Sequence, residues 1–385
     1  MVERIKLGLF YQNYQNWAGG TYYVQNLLQA LSILPDAEKP EVTILCDKQV
    51  DYQEISSICN YPFLKYQNIN LSYNLFQKVN NKIYRLFFKK NLFEKRPNLD
   101  VVFPLQGVEF MYFTELCKHR LFWIPDFQEQ HLPQFFNEKE LDGRKSSRTW
   151  ICKLMPFLLL SSQSAEADFL QFYKPIANCQ SFVLPFAVTH QQDYKQLNIN
   201  HLKEKYQLPE RYFFAPNQFW KHKNHQLILD AVLELKHKNI IVNVAFSGKE
   251  YDFRNPDYTK NLKKFVQQNN LEKQICFLGF IDRNEQLQLM KNAQAVVQAS
   301  LFEGWSTVVE DAKAMNQYVL ASDLQVHKEQ LLQNGAFFNR LISSELANLL
   351  AKYTDKKPEI IALDYNKNIA DFAANFISIL KKIIQ

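Results

Sequence analysis

Two kinds of segment alternate along this chain, and the alternation restarts once. RIKLGLFY (4–11) predicts a buried strand, TYYVQNLLQAL (21–31) has apolar residues at helical spacing, and EVTILCD (41–47) predicts a second strand. Such a βαβ unit implies a parallel sheet with a right-handed crossover. A polar stretch at 187–210 interrupts the pattern, and strands and helices alternate again from YFFAPN (212–217) onward.

The interruption divides the chain into two predicted α/β domains. We place the first at 1–188, the linker at 189–210 and the second at 211–365, followed by an amphipathic helix over 366–385. The length of 385 residues agrees with two domains. Ligands of such sheets bind at the carboxyl ends of the strands, so the cleft between the domains is the expected site.

Composition favours a globular cytoplasmic protein. The chain is 47% hydrophobic and 22% charged, which is enough apolar material for a large core. Its longest apolar stretch, 154–160, is far shorter than a membrane span, and its first residues lack the long apolar region of a signal peptide. The six cysteines show no metal-ligand spacing, so we expect reduced thiols and no metal site.

The stretch SLFEGWSTVVEDAKA (300–314) combines acids, hydroxyls and a glycine between two apolar segments. We expect a helix to begin near Thr307, with Thr307 and Glu310 as a capping box and Gly304 allowing close backbone approach. The free N–H groups of its first turn would bind phosphate. Glu303 and Asp311 would flank that phosphate and accept hydrogen bonds from sugar hydroxyls, which is the layout of a nucleotide sugar. The alternative is a capped helix with solvated acids.

This stretch resembles the donor site of retaining glycosyltransferases of family 4, which have the GT-B fold. That family has a Glu, seven residues and a second Glu, and here Glu303 and Asp311 occupy those places. The resemblance implies that Glu303 contacts the donor sugar and Asp311 the ribose. It also implies two Rossmann-like domains facing across a cleft, with a C-terminal helix that can return to the first domain. The remaining donor-binding candidates in the stretch are Gly304, Trp305, Ser306 and Thr307.

A basic loop follows the first strand of the second domain, in PNQFWKHKNH (216–225). The resembled family places an Arg and a Lys six residues apart here, to neutralise the donor diphosphate. Asn217 stands in the place of the Arg, Lys223 matches the Lys, and Lys221 is a further candidate cation. The alternative interpretation is a solvated basic loop.

Three more loops follow strands and supply candidates. Gly19 and Gly20, between the first strand and helix, are expected to approach the diphosphate, although a plain tight turn explains them too. Gly248 in FSGKE (246–250) and Phe280 in FLGFID (277–282) are further donor-binding candidates. FLGFID resembles the loop that the family places beside the nucleobase.

WIPDFQEQHLP (123–133) places polar residues at the carboxyl end of a buried strand. Asp126 and His131 are the candidates there for orienting the acceptor hydroxyl, with a structural role, such as capping a turn, as the alternative. The resemblance implies that the departing phosphate oxygen helps to deprotonate the acceptor. No strong side-chain base is then required, and there is no Asp-x-Asp pair that would hold a metal–diphosphate complex.

Positive charge is concentrated in residues 65–100. Eight Lys and Arg (65, 78, 82, 85, 89, 90, 95 and 96) stand against Glu94 and Asp100, and 74–95 has one apolar helical face. Such a helix either packs on its sheet or contacts an anionic membrane. The second case places the protein on the inner face of the plasma membrane.

The sequence as a whole favours a metal-independent glycosyltransferase without a cofactor. It would transfer a sugar from a nucleoside diphosphate sugar to a glycan or lipid-linked glycan acceptor. The alternatives are a sugar-nucleotide epimerase of the same fold and a non-catalytic protein that binds nucleotide sugar or nucleic acid. No recognisable nucleic-acid motif is present, so we expect no nucleic acid partner.

Overall fold

The computed structural model describes residues 4–12, 18–69, 75–88, 98–107, 117–190 and 192–385, and their strands form two parallel sheets. The first sheet has the order β3-β2-β1-β4-β5-β6-β7, with β1 (Lys6–Phe10), β2 (Glu41–Cys46), β3 (Leu64–Asn68), β4 (Leu99–Leu105), β5 (Cys117–Ile124), β6 (Phe157–Leu160) and β7 (Gln180–Val183). The second has the order β10-β9-β8-β11-β12-β13, with β8 (Phe213–Ala215), β9 (Val244–Phe246), β10 (Ile275–Phe277), β11 (Val296–Gln298), β12 (Val319–Ser322) and β13 (Gly335–Phe338).

The helices connect these strands and cover the sheets. Those before the second sheet are α1 (Ala18–Ser32), α2 (Gln49–Ser57), α3 (Leu75–Phe88), α4 (Gln128–His131), α5 (Glu138–Leu154), α6 (Gln163–Phe172) and α7 (Ile199–Lys205). Those that follow are α8 (His225–His237), α9 (Tyr258–Gln268), α10 (Arg283–Asn292), α11 (Thr307–Ala314), α12 (Gln325–Gln330), α13 (Ser343–Thr354) and α14 (Asn366–Ile384). The predicted α/β class with two Rossmann-like domains is confirmed.

Most of the central strands are apolar along nearly their whole length because both faces of each sheet are covered there, whereas the edge strand β3 (LKYQN) is mixed. In β6, Leu158, Leu159 and Leu160 are all fully buried, although successive side chains point to opposite faces. This continuous apolar pattern is typical of parallel strands between two helix layers.

Each sheet has one point where the strand order reverses. The first reverses between β1 and β4, and the second between β8 and β11. Helices that leave such a pair of strands pass to opposite sides of the sheet, so a crevice opens at the strands' carboxyl ends. The loops after β1, β8 and β11 carry most of the sequence-predicted donor residues.

The last helix, α14, packs on the first domain. Phe372, Phe376 and Leu380 lie one helical turn apart and are buried in the core of the first sheet. The ring of Phe376 lies 5.2 Å from that of Phe103 in β4. Burying each of these side chains contributes about 1.5–3 kcal/mol, so α14 is an integral part of the first domain.

The apolar face of α3 is exposed. Phe76 and Leu86 are 70% and 76% exposed, and Val79 and Ile83 are each 49% exposed. The interpretation in which this face packs on the sheet is therefore wrong for the residues described. Residues 89–95 of the predicted amphipathic segment lie outside the described part of the chain.

Candidate functional site

A cavity of about 560 Å³ lies between the two domains and has the size of a small-molecule site. Twelve of the residues predicted from the sequence line it: Gly19, Asp126, Asn217, Lys223, Gly248, Phe280, Glu303, Gly304, Trp305, Ser306, Thr307 and Asp311. The structure thus brings together residues from four separate loops of the second domain and two of the first.

Three predicted residues do not line the cavity. Gly20 is buried in the first turn of α1, and the exposed Lys221 extends over the ring of Phe135, 5.5 Å from its centre. His131 is paired with Asp168 at 2.8 Å, which raises the pKa of the imidazole. The imidazole stacks on Phe302, which does line the cavity, so His131 lies behind the wall.

Glu303 has one saturated and one open carboxylate oxygen. Its Oε1 accepts hydrogen bonds from Lys223 Nζ at 2.6 Å, Gln298 Nε2 at 2.7 Å and Ser300 Oγ at 2.6 Å. Its Oε2 has no hydrogen-bond partner among the described residues. Burial by itself raises the pKa of this carboxyl, but the charge and hydrogen bond of Lys223, together with two nearby histidines, outweigh burial and lower the pKa of Glu303 to about 2. At neutral pH the open oxygen is therefore an acceptor only.

Asn217 orients the side-chain amide of Gln298, which in turn donates a hydrogen bond to Glu303. Its Nδ2 donates to Gln298 Oε1 at 2.9 Å, which leaves the Gln298 NH₂ group to donate to Ser300 and Glu303. Sequence reasoning missed Gln298 and Ser300. The available signal was a Gln ending the otherwise apolar strand AVVQ, since a buried polar side chain needs partners.

Asp311 repeats the arrangement of Glu303. Its Oδ1 accepts from Arg283 Nη2 at 2.5 Å and lies 2.9 Å from His190 Nε2, while its Oδ2 has no partner in the described part of the chain. Burial opposes ionisation, yet Arg283 and His190 together hold the pKa of Asp311 below its usual value. Neither partner was predicted from the sequence. His190 lies in the linker and Arg283 opens α10, so both are remote from Asp311 along the chain.

The predicted capping box is wrong, although α11 does begin at Thr307. Ser306 is the N-cap, and its hydroxyl accepts from Val309 N at 3.4 Å. Gln330 fixes this choice because its Oε1 accepts from Ser306 N at 3.0 Å. The first-turn amides of Thr307 and Val308 have no intrahelical acceptor, and both residues line the cavity.

Glu310 is a buried structural acceptor and does not line the cavity. It accepts from Lys313 Nζ at 2.7 Å, from Gln330 Nε2 at 3.1 Å and from the hydroxyl of Tyr365. Tyr365 in turn accepts from Val188 N at 3.0 Å. The two adjacent acids of α11 therefore face different surroundings, Asp311 the cavity and Glu310 the segment leading into α14.

Two glycines of the site have no room for a side chain. A Cβ at Gly304 would lie 2.4 Å from Pro125 O and 2.6 Å from Asp126 Cβ, both in the first domain. Gly248 has φ +150°, and a Cβ there would lie 2.2 Å from Asn217 O. The first glycine lets the domains approach, and the second lets the loop after β9 pack on the basic loop.

Asp126 lies two residues after the end of β5 and reaches the cavity beside Gly304. Its Oδ1 accepts from Gln128 N at 3.1 Å. Burial raises the pKa of its carboxyl, although Arg144 and Arg148 oppose the shift. The pKa of Asp126 is thus shifted in the opposite direction to that of Glu303.

The described residues contain neither a candidate metal cluster nor a helix that could span a membrane. No group of three or more His, Cys, Asp and Glu side chains within the described ranges could hold a metal ion. Among the helices described, none has the length and apolar character needed to cross a membrane.

Comparison with known proteins shows which family the second half of the chain is similar to. Residues 198–370 match the family model "glycosyl transferases group 1". This match spans the second domain and part of the linker that precedes it. A stretch of 130 residues is 32% identical to the O-antigen chain mannosyltransferase RfbU of Salmonella typhimurium, and the match covers 34% of each chain. The match therefore spans about a third of that curated relative.

Solved structures show the same fold over the whole chain. A glycosyltransferase from Rickettsia africae has a TM-score of 0.64 at 15% identity and covers 99% of both chains. Sucrose-phosphate synthase from Thermosynechococcus elongatus has a TM-score of 0.64 at 15% identity, covering 99% of this chain and 96% of its own. Anabaena Alr3699/HepE in complex with UDP and glucose has a TM-score of 0.62 at 14% identity, with the same coverage.

Proposed function

We propose that this protein transfers a sugar, with retention of configuration and without a metal, from a nucleoside diphosphate sugar to an acceptor hydroxyl. This proposal depends on one observation: two acids that line the same cavity have the same hydrogen-bonding arrangement. Glu303 and Asp311 each have one oxygen saturated by protein donors and one left open. Open carboxylate oxygens accept from hydroxyls, which a donor supplies from its sugar at one end and its ribose at the other.

The centre of the cavity suits a diphosphate. Lys223 supplies a positive charge, and the amides of Thr307 and Val308 point from the positive end of the α11 dipole. These groups stabilise negative charge as it develops on the leaving diphosphate. Phe280, which is 80% exposed on the cavity wall, offers a ring on which the nucleobase stacks.

The ionisation states assign different tasks to the carboxyls. Glu303, with a pKa of about 2, remains ionised and orients the donor sugar. Asp126, from the first domain, orients the acceptor hydroxyl. The departing phosphate oxygen takes the acceptor proton, so the protein contributes positioning and charge stabilisation.

The acceptor we propose is a glycan or lipid-linked glycan at the inner membrane surface. The relative RfbU is named an O-antigen chain mannosyltransferase, which supports a glycan acceptor. The exposed apolar face of α3, in a segment with eight basic residues against two acids, matches an anionic lipid surface. The first domain carries both α3 and Asp126.

Donor binding is tested by thermal shift with UDP-, GDP- and dTDP-sugars, followed by transfer assays with the stabilising donor. We expect one nucleotide class to raise the melting temperature, and Glu303→Gln to keep that shift but lose most turnover. If none of the sugars stabilises the wild type, the donor site is refuted. Turnover without any acceptor would instead favour an epimerase.

Membrane contact is tested by co-sedimentation with anionic and neutral vesicles. The protein should pellet with anionic vesicles at low salt, and replacing Lys82 and Arg85 by Glu should release it. Replacing two exposed lysines of the second domain by Glu, Lys238 just after α8 and Lys264 in α9, makes the same change in net charge and should not release the protein. If the wild type ignores anionic vesicles, the membrane contact is refuted while the transferase proposal stands.

A further inference from the structure

The cavity holds more negative than positive charge before any ligand binds. Its charged lining side chains are the acids Asp126, Asp282, Glu303 and Asp311 and the bases Lys223 and Arg283. His222 also lines it, but burial lowers the pKa of that imidazole to about 3, so it is neutral. A nucleoside diphosphate adds further negative charge, and one lysine does not balance it.

The basic loop after β8 supplies only that one lysine. Asn217 occupies the position where the resembled family has an arginine, and its amide is turned to Gln298. Lys221 is exposed over Phe135 and does not line the cavity. The second cation must therefore come from elsewhere in the lining, and in the described chain it is Arg283.

Arg283 has the position and the free donors for this task. Nη2 binds Asp311 at 2.5 Å and Nη1 binds Gln286 at 2.9 Å, so two of the five guanidinium donors are used by these bonds. The guanidinium carbon lies 5.5 Å from the ring centre of Tyr22, which stands on the first turns of α1 beside Gly19. Arg283 thus bridges the two domains at the end of the cavity marked by Asp311.

We propose that Arg283 binds the α-phosphate of the donor, the phosphate next to the ribose. The inference rests on the proposed donor site, in which Asp311 accepts from the ribose and Glu303 from the sugar. Each acid is paired with one cation, Asp311 with Arg283 and Glu303 with Lys223. The cation at the ribose end is then next to the α-phosphate, and Lys223, at the sugar end, is next to the β-phosphate.

This assignment makes a nucleoside monophosphate the decisive probe, because it has the α-phosphate only. Calorimetry is carried out with uridine, UMP and UDP, or with the guanosine series if wild type prefers GDP. Arg283→Gln should lower the affinity for UMP and UDP about ten-fold or more, since a charge-assisted bond to the phosphate is lost. The affinity for uridine should change little. Lys223→Gln should lower the affinity for the diphosphate but leave the affinity for the monophosphate nearly unchanged.

Two variants keep the test independent of folding and of Asp311. Arg283→Lys retains a cation and should recover most of the monophosphate affinity. Asp311→Asn removes the ion pair but keeps the guanidinium, so the affinity ratio of UMP to uridine should persist. Melting temperatures without ligand show whether each variant is folded.

Four results would overturn the inference. Equal losses for uridine and UMP in Arg283→Gln would mean that Arg283 acts only through Asp311. A loss of affinity in Arg283→Gln that affects UDP but not UMP would place Arg283 at the β-phosphate. A wild type that binds none of the nucleotides would refute the donor site itself, whereas unchanged UMP binding in Arg283→Gln would refute the role of Arg283 alone.

Discussion

Asn217→Asp tests the hydrogen-bond chain behind Glu303 with a change of nearly zero volume. Asn217 donates to Gln298 Oε1 at 2.9 Å, whereas an aspartate there can only accept. Gln298 must then rotate its amide so that the NH₂ group faces position 217. Its carbonyl oxygen would then point at Glu303 Oε1, which it now serves as a donor at 2.7 Å.

The magnitude follows from the bonds that change. Glu303 loses one of three donors and gains a repulsive oxygen in its place. A hydrogen bond to a charged group contributes about 1.5–3 kcal/mol, which corresponds to a loss of about ten- to a hundred-fold in turnover. The affinity for the free nucleoside diphosphate should change little, because Glu303 serves the sugar.

The measurement is kcat for transfer, together with the Kd of the nucleoside diphosphate and of the intact donor. Asn217→Leu is the matched control. It removes the donor at 217 but leaves Gln298 bonded through its NH₂ group to Ser300 and Glu303, so we expect a smaller loss. Equal kcat for the two variants would refute the orientation argument. A large loss of nucleoside diphosphate affinity in Asn217→Asp would instead place Asn217 on the phosphates.

Three further changes test separate features. Glu303→Gln should remain folded and lose most turnover, measured with the preferred donor. Burial lowers the pKa of His225 to about 3 from 6.5, so wild-type stability should fall as pH drops below 6.5, by at most about 1.4 kcal/mol per pH unit for this group. His225→Phe, which can keep the stack on Phe219, should reduce that slope in urea melts. Glu310→Ala should cost about 1–3 kcal/mol of unfolding free energy by stranding the Tyr365 hydroxyl, with nucleotide affinity unchanged.

The repeated alternation of strands and helices was sufficient to predict both sheets, because parallel strands buried on two faces leave a strong apolar signal. The positions of Glu303 and Gly304 in the cavity followed from their place between a strand and a helix. Local patterns could not choose between the neighbouring hydroxyls of Ser306 and Thr307 as N-cap. Gln330, twenty-four positions away from Ser306, decides that choice through a side-chain contact.

Hydrogen-bond partners that lie far apart along the chain could not be predicted from the sequence. His190 meets Asp311 across 121 positions, and Asn217 meets Gln298 across 81. No periodicity encodes such pairs, since they arise only when the second sheet and the linker are packed. For α3 the pattern predicted an apolar face, but exposure depends on what the rest of the fold covers.

The return of α14 to the first domain affects how that domain is made on the ribosome. The first sheet is complete at Val183, yet its core still lacks Phe372, Phe376 and Leu380. Those side chains emerge only after the entire second domain has been synthesised. The amino-terminal domain, which would ordinarily fold first, is therefore the last to bury its core, and during translation it exposes the apolar surface beside α1 that α14 later covers.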